Sequence, residues 1–222
     1  MISLPLHEFH ARHGAVFAAL GEAETVAHYG DAGAEHATLL RSAGLIDLSF
    51  RSRLWLTGSD RLRFLNGQVT NNVKDLAPGQ GCYAALVTAK GRMESDLNVI
   101  CLEGGLLLDF EPGLSARVAA RLEKYIIADD VQVADVAPHY GLLAVHGPRS
   151  ADVVQAALPG LAPSEKPLGS VRLVHPNWGE MYCVSHPRGA QSAFDLYVPA
   201  RSLMPAAEGF LAAVQSVGGG LT

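Results

Sequence analysis

The sequence predicts an α+β protein built on antiparallel sheets. Two observations carry that prediction. Short apolar runs of strand type follow one another across tight turns, most clearly in the meander over residues 82–111. Stretches with helical spacing lie between those groups of strands. The 222 residues suit one or two domains with a real core, and neither repeats nor a long linker divide them.

Each element has its own signal. Leu6, Phe9, His13, Val16, Phe17 and Leu20 recur near helical spacing, so residues 6–20 read as a first helix, and residues 21–33 as a loop. Residues 34–44 read as a short helix stopped by Gly44. A strand and turn follow over residues 52–60, where Ser59 or Asp60 would cap a helix that turns Leu62, Phe64 and Leu65 inward. The meander breaks at Ala89–Gly91 and at Glu103–Gly105. Pro112 sits near the start of a helix with Leu114, Val118 and Leu122 on one side, and residues 131–136 read as a strand. A second strand–helix unit spans residues 140–160, three short strands follow over 170–176, 180–186 and 194–199, and a last helix stops at Gly218–Gly220.

Composition narrows the function classes. A formal charge of −5 argues against a general polyanion binder. No apolar run reaches the ~18 residues of a membrane span, and the start, broken by His7, Glu8 and Arg12, is no signal peptide. Cys82, Cys101 and Cys183 are far apart with no C-x-x-C, which fits free thiols in a reducing cytoplasm. Nucleotide-binding Gly loops, a zinc-protease helix and a nucleophile elbow are absent. His7, His10 and His13 step by three, but no Cys or Asp completes a metal set beside them.

One strand is chemically odd. Over Met93–Ile100, alternation sets Met93, Ser95, Leu97 and Val99 on one side and Glu94, Asp96, Asn98 and Ile100 on the other. Two readings stand for that polar row: a half-buried strand showing its polar side to water, or a cleft wall offering acceptors to a polar ligand. Asp195 poses the same choice, because an Asp works against the strand propensity of Phe194–Val198.

The ordered series Glu35-His36, Leu40-Arg41, Gly44–Ser49, Gly58, Asp60, Phe64-Leu65, Asn71-Asn72, Gly79-Gln80, Tyr83, Gly91 and Asp96 resembles the aminomethyltransferase superfamily. That superfamily includes the glycine cleavage T-protein and the YgfZ folate-binding proteins that support iron–sulfur enzymes. The resemblance runs from about residue 27 to the end. Ser95-Asp96 departs from the paired Asp of the T-protein, and residues 187–197 depart from its Gly-Glu segment. The turn at Ala89–Met93 and residues 122–136 look more like the YgfZ type, whose signature would lie beyond Thr222.

The resemblance implies two interleaved lobes. Residues 1–50 and 138–222 would form a discontinuous folate-binding lobe and residues 51–137 an inserted α+β lobe, with the family's C-terminal barrel domain absent from this chain and expected beyond Thr222. It implies a tetrahydrofolate site in which Asp96 faces the reactive nitrogens as the catalytic carboxylate, Tyr83 flanks the pterin, and Asp195 stands where the family places a Glu that reads the pterin edge. Glu94 is expected at the rim. The expected function is a cytoplasmic tetrahydrofolate-binding protein of the YgfZ type with iron–sulfur client enzymes. The alternatives are an aminomethyltransferase served by a lipoyl carrier protein and a folate-independent scaffold.

Overall fold

The computed structural model describes residues 2–188 and 191–222. In chain order the elements are α1 (His7–Arg12), β1 (Val16–Leu20), β2 (Ala23–His28), α2 (Ala32–Arg41), β3 (Gly44–Asp47) and β4 (Ser52–Thr57). Next come α3 (Arg61–Asn66), β5 (Gly81–Val87), β6 (Met93–Leu102), β7 (Gly105–Phe110), α4 (Ser115–Glu123) and β8 (Gln132–Asp135). The rest holds β9 (Tyr140–His146), α5 (Ser150–Ala157), β10 (Ser170–His175), β11 (Gly179–Ser185), β12 (Ala193–Pro199), α6 (Leu203–Ser216) and β13 (Gly220–Leu221). This is the α+β class: β13 pairs with β3 in parallel, while β11–β12, β12–β9 and β3–β9 are antiparallel.

The chain forms two compact units: Met1–Phe50, His139–Glu165 and Val171–Thr222 in the first, Arg51–Pro138 and Lys166–Ser170 in the second. The first is built on a six-stranded sheet in the order β10-β11-β12-β9-β3-β13. One face of its central strands (Leu143 and Val145 on β9, Phe194, Leu196 and Val198 on β12) packs with α5 and α6. On α6 the buried positions 203, 206, 207, 210, 211, 213 and 214 keep helical spacing, so one face meets the sheet.

In the second unit the sheet runs β5-β6-β7-β4-β8. Leu54, Leu56, Leu97, Val99, Leu106 and Leu108 share a core with Phe64 and Leu65 of α3 and Val118 and Leu122 of α4. Burying side chains of this size contributes about 1.5–3 kcal/mol each before entropy is counted. The opposite face of this sheet carries the polar residues described below.

Three local expectations are corrected. Residues 6–20 are not one helix: α1 ends at Arg12, Gly14 takes φ 77, and β1 pairs with β2 across Gly21-Glu22. The apolar residues that mimic a helical stripe instead split between α1 and a hairpin, where Val16 and Phe17 suit a strand. The stretch read as a loop therefore contains β2. Gly44 stops no helix: α2 ends at Arg41 and Gly44 opens β3. Neither Ser59 nor Asp60 caps α3 with its side chain. Ser59 instead donates to Asp130 Oδ2 at 2.8 Å, and Asp60 Oδ2 accepts the Asp130 N–H at 2.9 Å, tying the start of α3 to the loop before β8.

Candidate functional site

The polar row on β6 resolves into three separate arrangements. Opposite Leu86 and Val87 of β5 the register runs to Ser95 and then Met93, so Glu94 is the extra residue of a β-bulge. The bulge breaks the alternation. Glu94 accepts from Arg121 Nε at 3.0 Å, while Arg121 also reaches Gln68 and the Val87 carbonyl. Glu94 thus clasps α4 to the sheet and is no member of the Asp96 face.

Asp96 and Tyr83 are brought together. Tyr83 lies on β5 directly across from Asn98, which makes Asp96 its diagonal neighbour on the same face. The Tyr83 hydroxyl donates to Asp96 Oδ2 at 2.9 Å, and Tyr83 is 57% exposed. That hydrogen bond, before burial, holds the phenol above its ordinary range, so the proton stays on Tyr83. Among the described residues Asp96 Oδ1 takes no hydrogen bond, leaving an acceptor for a ligand. The β5 edge beside the pair is held by Thr70 and Asn71: Asn71 Nδ2 donates to the Tyr83 carbonyl at 2.9 Å, and Thr70 Oγ1 accepts the Ala85 N–H at 3.0 Å.

Behind this pair a polar rank crosses four strands. Tyr83, Asn98, Asp109 and Arg53 stand opposite one another on β5, β6, β7 and β4. Asn98 Nδ2 donates to the buried Asp109 at 2.9 Å, and Arg51 Nε donates to the same carboxylate at 2.9 Å and 3.1 Å while its Nη1 reaches Glu111. Burial opposes the Arg51 charge, and Asp109 and Glu111 more than offset it. Asn98 therefore serves this network.

Asp195 belongs to the first unit, on β12 between Val184 of β11 and Ala144 of β9. Its side chain is 1% exposed. Arg188 donates through Nη1 to Oδ1 at 2.8 Å and through Nη2 to Oδ2 at 3.0 Å, and His186 Nδ1 lies 2.7 Å from Oδ2. Burial alone would raise the Asp195 pKa, but His186 and Arg188 hold it down to about 2. Arg188 also donates to His146 Nε2; burial and then Arg188 push that histidine down to about 4, so it stays neutral.

The remaining candidates have local partners. His7 meets Glu24, His10 Nε2 lies 2.9 Å from Asp47, and His13 donates to the Phe9 carbonyl. Among the described residues no group of His, Cys, Asp and Glu is arranged to hold a metal, and no helix is long and apolar enough to cross a membrane. The three cysteines are unpaired. Sequence reasoning missed Arg188, His186 and His146 around Asp195, and Arg51 and Asp109 around Asn98. The only sequence signal was Asp109 inside Leu106–Phe110, the same break in an apolar strand that marked Asp195.

Comparison with known proteins gives this geometry a family. The GCVT N-terminal domain model matches residues 6–220. The aminomethyltransferase of Cupriavidus necator is 28% identical over 214 residues, spanning 90% of this chain and 57% of that enzyme. A probable aminomethyltransferase of Halobacterium salinarum is 32% identical over 158 residues, 68% of this chain and 44% of that protein. The glycine cleavage system aminomethyltransferase T from Bartonella henselae has a structure similar to this chain at TM-score 0.84 and 25% identity, covering 94% of this chain and 56% of the other. The chain spans about half the length of the curated aminomethyltransferases it matches. With a match that takes in both units from residue 6 to residue 220, the chain belongs to the GCVT N-terminal domain family.

Proposed function

We propose that this chain binds tetrahydrofolate, with Asp96 and Tyr83 at the reacting end, and that it serves aminomethyl transfer of the kind its relatives are named for. The observation that carries the reading is the Tyr83–Asp96 pair, a carboxylate with one oxygen held and one open beside an exposed aromatic ring. Tetrahydrofolate, when bound, would supply the nitrogens that take up a one-carbon unit. The chain supplies the rest. Tyr83 fixes the carboxylate's orientation and offers a stacking face. Asp96 places negative charge where positive charge develops during transfer, an interaction that is stronger in the transition state than in the bound ground state.

Asp195 is assigned the pterin edge. A carboxylate on a strand suits two parallel N–H donors, although here Arg188 holds those positions. The aminomethyltransferase names among the relatives favour a lipoyl carrier protein as partner over iron–sulfur client enzymes. Support of iron–sulfur enzymes remains a second reading, motivated by the Ala89–Met93 turn and residues 122–136.

The test uses Asp96→Asn, which keeps shape and hydrogen-bonding capacity but removes the charge. Turnover with an aminomethyl-loaded lipoyl carrier should fall ~10²-fold or more, while tetrahydrofolate affinity changes by less than about tenfold. Wild-type turnover in the variant would remove Asp96 from the chemistry. Wild-type protein that is inert with the carrier but restores activity to iron–sulfur enzymes would favour the second reading.

A further inference from the structure

The surroundings of Asp195 have a specific chemical shape. Its two oxygens face the two terminal nitrogens of one planar guanidinium, at 2.8 Å and 3.0 Å. The carboxylate is enclosed, whereas the Arg188 side chain is 32% exposed. Arg188 is thus the more exposed partner of a buried acceptor pair, and its departure would break, besides that pair, only its contacts to His146 Nε2 and His186 Nδ1 among the described residues. The amino-oxo-pyrimidine edge of a pterin is also an N–C–N group with two parallel N–H donors, so it matches a carboxylate as a guanidinium does.

We propose that Asp195 is a subsite for a guanidine-like ring edge and that Arg188 is its internal occupant, which a pterin must displace. The ring's identity rests on the folate reading; Arg188 as competitor goes beyond it. Displacement returns a guanidinium to water and leaves His186 beside Asp195 as a remaining donor. The apparent affinity is then the intrinsic affinity reduced by the fraction of molecules in which Arg188 has swung out. Arg188 is a specificity-determining residue on this account: only a ligand able to replace both of its N–H donors gains entry.

Arg188→Ala is the test, read with tetrahydrofolate and with two small probes, methylguanidinium and 2-amino-4-hydroxypyrimidine. The variant should bind tetrahydrofolate at least tenfold more tightly than wild type. Both probes at millimolar concentration should raise its melting temperature while leaving wild type and the Arg188→Ala/Asp195→Asn double variant unshifted. Where wild type binds tetrahydrofolate, equal or weaker binding by a folded Arg188→Ala would overturn the proposal, as would stabilisation by methylguanidinium without stabilisation by the pyrimidine. If both probes rescue but no form binds tetrahydrofolate, the subsite stands and the folate reading falls. Should Arg188→Ala fail to fold, Arg188→Gln replaces it in the same assays. Failure of both to fold would make Arg188 a structural partner and overturn the competitor role.

Discussion

Asp195 and His146 stand one strand apart and share Arg188, yet they respond to acid over different ranges. Asp195, held at about 2, contributes stability that is present above its unfolded value near 4 and is lost as pH falls through about 2, so it is silent near neutrality. His146 is depressed to about 4 from an ordinary value near 6.5. Between those two values the unfolded chain takes a proton that the folded chain refuses, so stability is full above about pH 6.5 and falls as pH drops toward 4. The limiting size is roughly 3 kcal/mol at one protonation per unfolding event. The charged neighbours acting on His146 are Arg188, Asp195 and His186, and none of them is altered in a His146→Gln variant. Urea unfolding across pH 4–7 should show a shallower slope in that variant than in wild type. Identical slopes would place the pH dependence elsewhere.

Among the elements, the β5–β6–β7 meander shows how backbone geometry positions the site. Leu102 pairs with Gly105 across a two-residue turn, and a Cβ on Gly105 would lie 2.4 Å from the Leu56 carbonyl and within 2.9 Å of the Trp55 ring. Strand β4 can sit against β7 there only because the position is bare. Gly105→Ala should therefore destabilise the second unit by about 1–3 kcal/mol, measured by denaturant unfolding. Unchanged stability would mean that β4 yields without cost.

The meander was legible in the sequence because its turns carry glycine and its strands alternate everywhere but at the Glu94 bulge. Residues 6–20 read as one helix because α1 and β1 together place apolar residues near helical spacing, whereas Gly14 turns the chain between them. The site was legible to the same degree. Asp96 and Asp195 stood out as carboxylates on strands, since each interrupts a local pattern. Their partners did not: the Glu94 bulge is set by pairing with β5, and Arg188 reaches Asp195 from outside any periodic element. Contacts of that kind are decided by tertiary packing, which a period cannot encode.

For the whole molecule, the proposal rests on two carboxylates on strands, Asp96 on β6 and Asp195 on β12, each within its own unit. Binding of tetrahydrofolate by this chain is the proposal on which the rest depends, and calorimetric titration tests it most directly. Wild type should saturate at one equivalent, and Asp195→Ala should bind more weakly, by less than the about 2–4 kcal/mol that two ligand donors without an acceptor would cost alone, because the same change removes the Arg188 contact the ligand must displace. No saturable binding by wild type or by the Arg188→Ala variant would contradict the claim.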